Sequence, residues 1–220
     1  MTQKIYSLYL GGALFDHKAL TGNLLLAQAI GRQSSGQIKV LLPQTIECAD
    51  SDRNACSIRN QDLAMLIKSD LFLACMDGTE LDSGTVVEFC FAKALDIPSV
   101  LFRSDFRTSG DQLSGGDPWN LMCSNYPRTG SVIVNSMHLW SANSRPATGI
   151  QLENYYNTMA QDIILSLHCQ IQKPSWIPPD ALLNHYRNTI QSAGGKLIND
   201  FPDPILQELL NQKRQKGLYS

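Results

Sequence analysis

The chain reads as an α/β protein, a flavodoxin-like or Rossmann-like three-layer sandwich around a central parallel five-stranded sheet, with a helical C-terminal extension. Three observations predict it. Short apolar runs rich in β-branched and aromatic residues recur through the first two thirds of the chain. Segments with helical apolar spacing separate them. Strands alternating with helices in this way imply a parallel sheet covered on both faces.

Residues 5–10 (IYSLYL) form the first expected strand, ended by Gly11-Gly12. Residues 19–31 follow as a helix, with Leu20, Leu24, Leu25, Ala27 and Ile30 at helical spacing. Residues 38–42 are strand two, stopped by Pro43, and 43–56 form a polar loop. Residues 58–69 are helix two, with Leu63, Leu66 and Ile67 on one side. Residues 71–75 (LFLAC) are a buried strand three, and 84–95 are helix three. Residues 98–102 (PSVLF) are strand four, 103–116 a Gly/Ser/Asp loop and 131–134 strand five. An amphipathic helix at 152–167 closes the sandwich near residue 172. The expected strand order is near 2-1-3-4-5. The catalytic-domain candidate thus spans 1–172, and 173–220 is the extension, with short helices near 180–192 and 204–215.

The 220 residues carry a formal charge of −2, so nothing favours a nucleic-acid polymer or an acidic membrane as partner. No apolar run is long enough to span a bilayer. The first residues read as a strand rather than a secretory leader, which points to the cytoplasm. Six cysteines occur without CxxC spacing; Cys75 and Cys90 sit in apolar segments and read as small core residues. The four histidines make no metal-ligand pattern. Neither GxGxxG nor a Walker lysine motif is present, so a tightly bound dinucleotide or NTP hydrolysis is not supported.

The chemistry concentrates between residues 69 and 94. Asp77, Glu80 and Asp82 lie in the loop after strand three, where open α/β sheets place their ligands. Asp82 or Ser83 caps the next helix. Glu88 interrupts the apolar segment Val86-Val87-Glu88-Phe89-Cys90-Phe91. From pattern alone two readings stand: an exposed helical carboxylate, or an ionised one held against an apolar wall for attack on a sugar carbon. Asp62 is either an ordinary first-turn acid or a proton donor with a raised pKa. Tyr9 is a core tyrosine or reaches the crevice. Trp119-Asn120 is packing or ligand contact.

Taken together, these residues resemble the nucleoside 2-deoxyribosyltransferase family. LYLGGALF looks like its first strand and turn, with Tyr9 in place of the active-site tyrosine. IRNQDL supplies Asp62, and SDLFLACMDG resembles the strand and Asp-Gly loop. DSGTVVEFCFA is similar to the most specific signature, an aspartate six residues before the nucleophilic glutamate, here Asp82 and Glu88. WNLM matches a segment whose asparagine and methionine, here Asn120 and Met122, reach a neighbouring subunit's site.

The resemblance implies double displacement on a 2′-deoxynucleoside with no cofactor and no metal. Glu88 is the nucleophile, Tyr9 orients it, Asp62 exchanges a proton with the base and Asp82 holds a sugar hydroxyl. Phe15 and Gln44 join Asn120 and Met122 as substrate-binding residues. The implied partners are 2′-deoxynucleosides, free nucleobases and further copies of the chain, in a homo-oligomer with shared sites. Two other readings remain. One is a nucleoside or nucleotide N-glycosidase that gives the sugar to water, for which 103–107 is a candidate phosphate loop or a solvated surface loop. The other is a non-catalytic nucleotide-binding module. The tail from Lys173 onward has no counterpart in the resemblance.

Overall fold

The computed structural model describes residues 4–45, 54–107, 115–143 and 149–219. Five parallel strands run in the order β2-β1-β3-β4-β5. They are β1 (Tyr6–Gly11), β2 (Ile38–Leu41), β3 (Leu71–Cys75), β4 (Ser99–Arg103) and β5 (Thr129–Ile133). β1 sits second in the sheet, pairing Leu8 with Val40 on one side and with Leu71 on the other. Leu8, Tyr9, Leu10, Phe72 and Leu73 are buried, because strands covered on both faces are apolar throughout.

The helices follow from their caps. α1 (His17–Gln33) begins at Asp16, whose carboxylate accepts from the Lys18 and Ala19 amides. α2 (Ala55–Lys68) opens on a reciprocal cap between Asn54 and Ser57. α3 (Ser83–Ala94) begins at Asp82, which accepts from the Thr85 amide. α4 (Ser136–Asn143) and the long α5 (Gly149–Ile171) follow β5. α1 and α5 pack together on one face, while α2 and α3 cover the other. This is what right-handed crossovers demand of a 2-1-3-4-5 order.

The differences from the expected elements are local. Helix one buries Leu26, Ala27, Ala29 and Ile30, while Leu20 and Leu24 are exposed. α4 was not expected at all; it buries none of its residues, so it has no apolar stripe to read. Cys90 is exposed, against the expectation of a core thiol; α3 turns it away from the sheet beside exposed Val87. Parts of the two polar loops, 46–53 and 108–114, lie outside the described residues, as does Cys48.

The C-terminal segment forms α6 (Leu182–Ser192), a 3₁₀ turn (Leu197–Asp200) and α7 (Asp203–Gln215). Its buried Leu182, Tyr186, Ile190, Phe201, Leu206 and Leu210 belong to the same apolar core as the sheet. Polar anchors add to this. The Arg128 guanidinium, ion-paired with Asp96 at 2.9 Å, also donates to the Leu218 carbonyl at 2.8 Å. The Tyr219 hydroxyl donates to the Leu95 carbonyl at 2.9 Å. Among the described residues no helix is long and apolar enough to cross a membrane.

Candidate active site

The site is built where β1 meets α3. Tyr9 lies in mid-strand and turns its ring towards the α2–α3 face. There it stacks on Phe72 at 5.7 Å between centroids. Phe72 in turn stacks on Phe89 at 6.4 Å, and Phe89 meets Tyr126 edge-on at 5.1 Å. This aromatic row forms a dry wall. The Tyr9 hydroxyl, at its edge, donates a hydrogen bond to Glu88 Oε1. Tyr9 is therefore buried in the core and still brings its hydroxyl to Glu88.

Glu88 is the sixth residue of α3, one turn beyond the strongest influence of the helix N-terminus. Burial dominates its ionisation and pushes its pKa up from 4.5 to about 7. The Tyr9 hydrogen bond opposes that rise, and the nearby Asp62 and Asp82 carboxylates add to it. A carboxylate so placed is half ionised at neutral pH and poorly solvated, the condition of a reactive nucleophile.

Gly11 makes the room. A β-carbon on it would lie 2.6 Å from Glu88 Oε2 and 3.1 Å from Phe72 Cζ. The sequence suggested a tight turn at Gly11-Gly12. Gly11 is instead the last residue of β1, and its missing side chain is where the Glu88 carboxylate sits. A glycine ending a strand opposite an ionisable helix residue was the available signal.

Asp62 is half-buried on α2 and acts on Glu88 through its charge. Asp82 spends Oδ2 on the Thr85 amide at 2.7 Å and the Thr85 hydroxyl at 2.8 Å. It also lines a cleft of about 570 Å³ at the carboxyl ends of the strands, with Asn23, Cys75, Ser104 and Tyr155. Asp77 serves the loop instead, accepting from the Ser104 amide at 2.6 Å and the Ser104 hydroxyl at 2.7 Å.

The remaining candidates stand apart from this cluster. Phe15 is 79% exposed on the loop between β1 and α1. Gln44 is tied to α1, accepting from Asn23 at 3.3 Å and donating to the Leu20 carbonyl at 2.9 Å. Trp119 is buried, whereas Met122 is 70% exposed. Asn120 caps a 3₁₀ turn (Leu121–Cys123) through the Met122 amide at 2.9 Å.

Arg103 departs from the expectation of a solvated 103–107 loop, in which Phe106 and Arg107 are indeed exposed. Arg103 itself is fully buried. Its guanidinium donates to the carbonyls of Met76, Gly78, Asp105 and Arg107. Arg107 pairs with Asp105 at 2.6 Å. Among the described residues no group of three or more His, Cys, Asp or Glu is arranged to hold a metal ion.

A parallel sheet of this order, with clustered carboxylates at one end, defines a Rossmann-like scaffold carrying an acid-rich crevice. The family model described as nucleoside 2-deoxyribosyltransferase matches residues 8–137, more than half of the chain. The chain belongs to the nucleoside 2-deoxyribosyltransferase family. Among solved structures, it is 19% identical to a conserved protein from Enterococcus faecalis V583, covering 76% of this chain and 99% of that one, with a TM-score of 0.48. A 2-desoxiribosyltransferase from Leishmania mexicana is 22% identical over 62% of this chain and 95% of its own, with a TM-score of 0.45. A 2-deoxyribosyltransferase from Bacillus psychrosaccharolyticus is 17% identical over 66% and 95%, with a TM-score of 0.44. No curated protein sequence matches the chain.

Proposed function

We propose that the protein transfers 2-deoxyribose between nucleobases by double displacement. The observation that carries this reading is the Tyr9–Glu88 pair, held against an aromatic wall within the electrostatic reach of Asp62 and Asp82. In the first step ionised Glu88 attacks C1′ of a 2′-deoxynucleoside. The N-glycosidic bond breaks as Asp62 gives its proton to the departing base. A 2-deoxyribosyl ester of Glu88 results. In the second step an incoming base attacks C1′ and loses its proton to Asp62. The ester bond breaks, and Glu88 leaves as carboxylate. Two displacements give net retention.

Tyr9 keeps Glu88 aligned and stabilises its charge. Asp82, which lines the cleft, takes a sugar hydroxyl. Phe15 and Gln44 contact the base. Asn120 and Met122 serve the site of a second copy. Exposed Leu121, Met122 and Val87 supply an apolar surface for that assembly. The competing nucleotide hydrolase needs a basic pocket for a 5′-phosphate. The Arg103 guanidinium is already spent on backbone carbonyls, and Arg107 is paired with Asp105, so this loop does not favour it.

The test is a transfer assay with thymidine as donor and adenine as acceptor. Deoxyadenosine appearing in step with thymine is the expected result. Thymine without deoxyadenosine makes water the acceptor and replaces the transferase with a hydrolase. Glu88→Ala is expected to lose several orders of magnitude in turnover; near-normal activity in that variant removes the covalent mechanism.

A further inference from the structure

The C-terminal extension grips the two helices that carry Glu88 and Asp62. On α2, the Arg59 guanidinium donates to the Ala193 carbonyl at 2.6 Å. The Asn60 amide donates to the Gly195 carbonyl, also at 2.6 Å. Arg59 further donates to Asn60 Oδ1 at 3.1 Å, so the two act as one unit. At the far end of α2 the buried Lys213 ammonium donates to the Ser69 carbonyl. Asp62 lies between these grips. On α3, the His185 ring bonds the Ala94 carbonyl at 2.6 Å and Tyr219 bonds that of Leu95 at 2.9 Å.

Two features show that the first grip is a fitted one. Gly194, Gly195 and Lys196 all have left-handed backbone, with φ of 69°, 61° and 61°. That turn aims its carbonyls at α2. A β-carbon on Gly195 would lie 2.9 Å from Asn60 Oδ1 and 3.2 Å from Arg59 Nη1. The second feature is a cavity of about 580 Å³ beneath α2, lined by Leu41, Ser57, Asn60, Gln61, Met65 and Asp200. Among the described residues that stretch of α2 borders open space, so the bonds to the tail add to the hold given by its buried Leu63, Leu66 and Ile67.

We propose that the 193–195 turn, acting through Arg59 and Asn60, positions Asp62 against Glu88. This rests on the proposed function. Arg59 and Asn60 are positioning residues that touch no substrate. A helix displaced by about 1 Å costs a proton donor roughly 10²-fold.

The experiment separates proton donation from every other role. Single-turnover base release is measured, without acceptor, from two donors. Deoxyadenosine needs a proton on its leaving base. 2′-Deoxy-7-methylguanosine carries a cationic base that departs neutral and needs none. In Arg59→Ala/Asn60→Ala, release from deoxyadenosine is expected to fall roughly 10- to 100-fold. Release from the methylated donor is expected to change less than about 3-fold, by the same reasoning. Gly195→Ala, which disturbs the grip from the tail side, should show the same split. Arg59→Lys, which keeps a donor, should not. Equal slowing on both donors, or none on either, overturns the inference while leaving the transferase standing. A wild-type protein inert on both donors and on thymidine overturns the proposed function and the inference with it.

Discussion

The two ends of the same sheet treat their acids in opposite ways. At the amino ends of the strands every buried carboxylate meets a cation. Asp96 pairs with Arg128 at 2.9 Å, both nearly inaccessible, and Asp70 pairs with Lys216 at 2.6 Å. Ser7 adds its amide and hydroxyl to Asp70, and Ser175 adds its hydroxyl to Asp96. At the carboxyl ends Glu88 is half-buried with a tyrosine hydroxyl and two other acids for company. No cation among the described residues offsets its charge. The first arrangement holds the chain together. The second keeps a carboxylate destabilised, which is useful when that carboxylate must attack a carbon.

Arg128→Met is the largest test of this contrast. It strands the Asp96 charge and frees the Leu218 carbonyl, so unfolding free energy should drop by about 3–5 kcal/mol. Denaturant titration measures the loss, and turnover per folded molecule should hold. A stable variant with lost turnover would reverse the assignment of the two ends.

Gly11→Ala probes the other end. The new methyl group meets Glu88 Oε2, so turnover should fall roughly 10²-fold through misplacement, with the melting temperature little changed. Unchanged turnover would mean that the carboxylate has another seat.

Glu88→Gln sharpens the comparison by pH. A carboxyl whose folded pKa of about 7 exceeds its ordinary 4.5 stabilises the fold below the lower value. That stabilisation is lost as pH rises to the upper one. The glutamine variant should therefore be nearly as stable as the parent at low pH and more stable at pH 8, by about 3 kcal/mol. Melting curves at the two pH values decide it, and a gap that fails to grow with pH removes the buried-charge account of Glu88.

Much of this was legible along the chain. The inner strands β1, β3 and β4 announce themselves as apolar runs because a strand covered on both faces has no polar side to interrupt it. β3 falls at Leu71–Cys75, as its pattern predicts. α4 escaped because a helix that buries nothing has no periodicity. Cys90 was misread because an apolar neighbourhood in sequence is not one in space. Arg103 was misread because a buried guanidinium needs carbonyls from residues 76 to 107, and their convergence is invisible to local pattern.

By itself the sequence determined the class of fold and the family, and it named the acids on which the proposed chemistry rests, since periodicity and motif order are properties of neighbours along the chain. Only the tertiary structure decided that Gly11 makes the seat for Glu88, that Tyr9 donates to it, and that the tail grips α2 and α3. These depend on contacts between residues far apart in sequence, where packing and burial rather than local preference set the geometry and the charge.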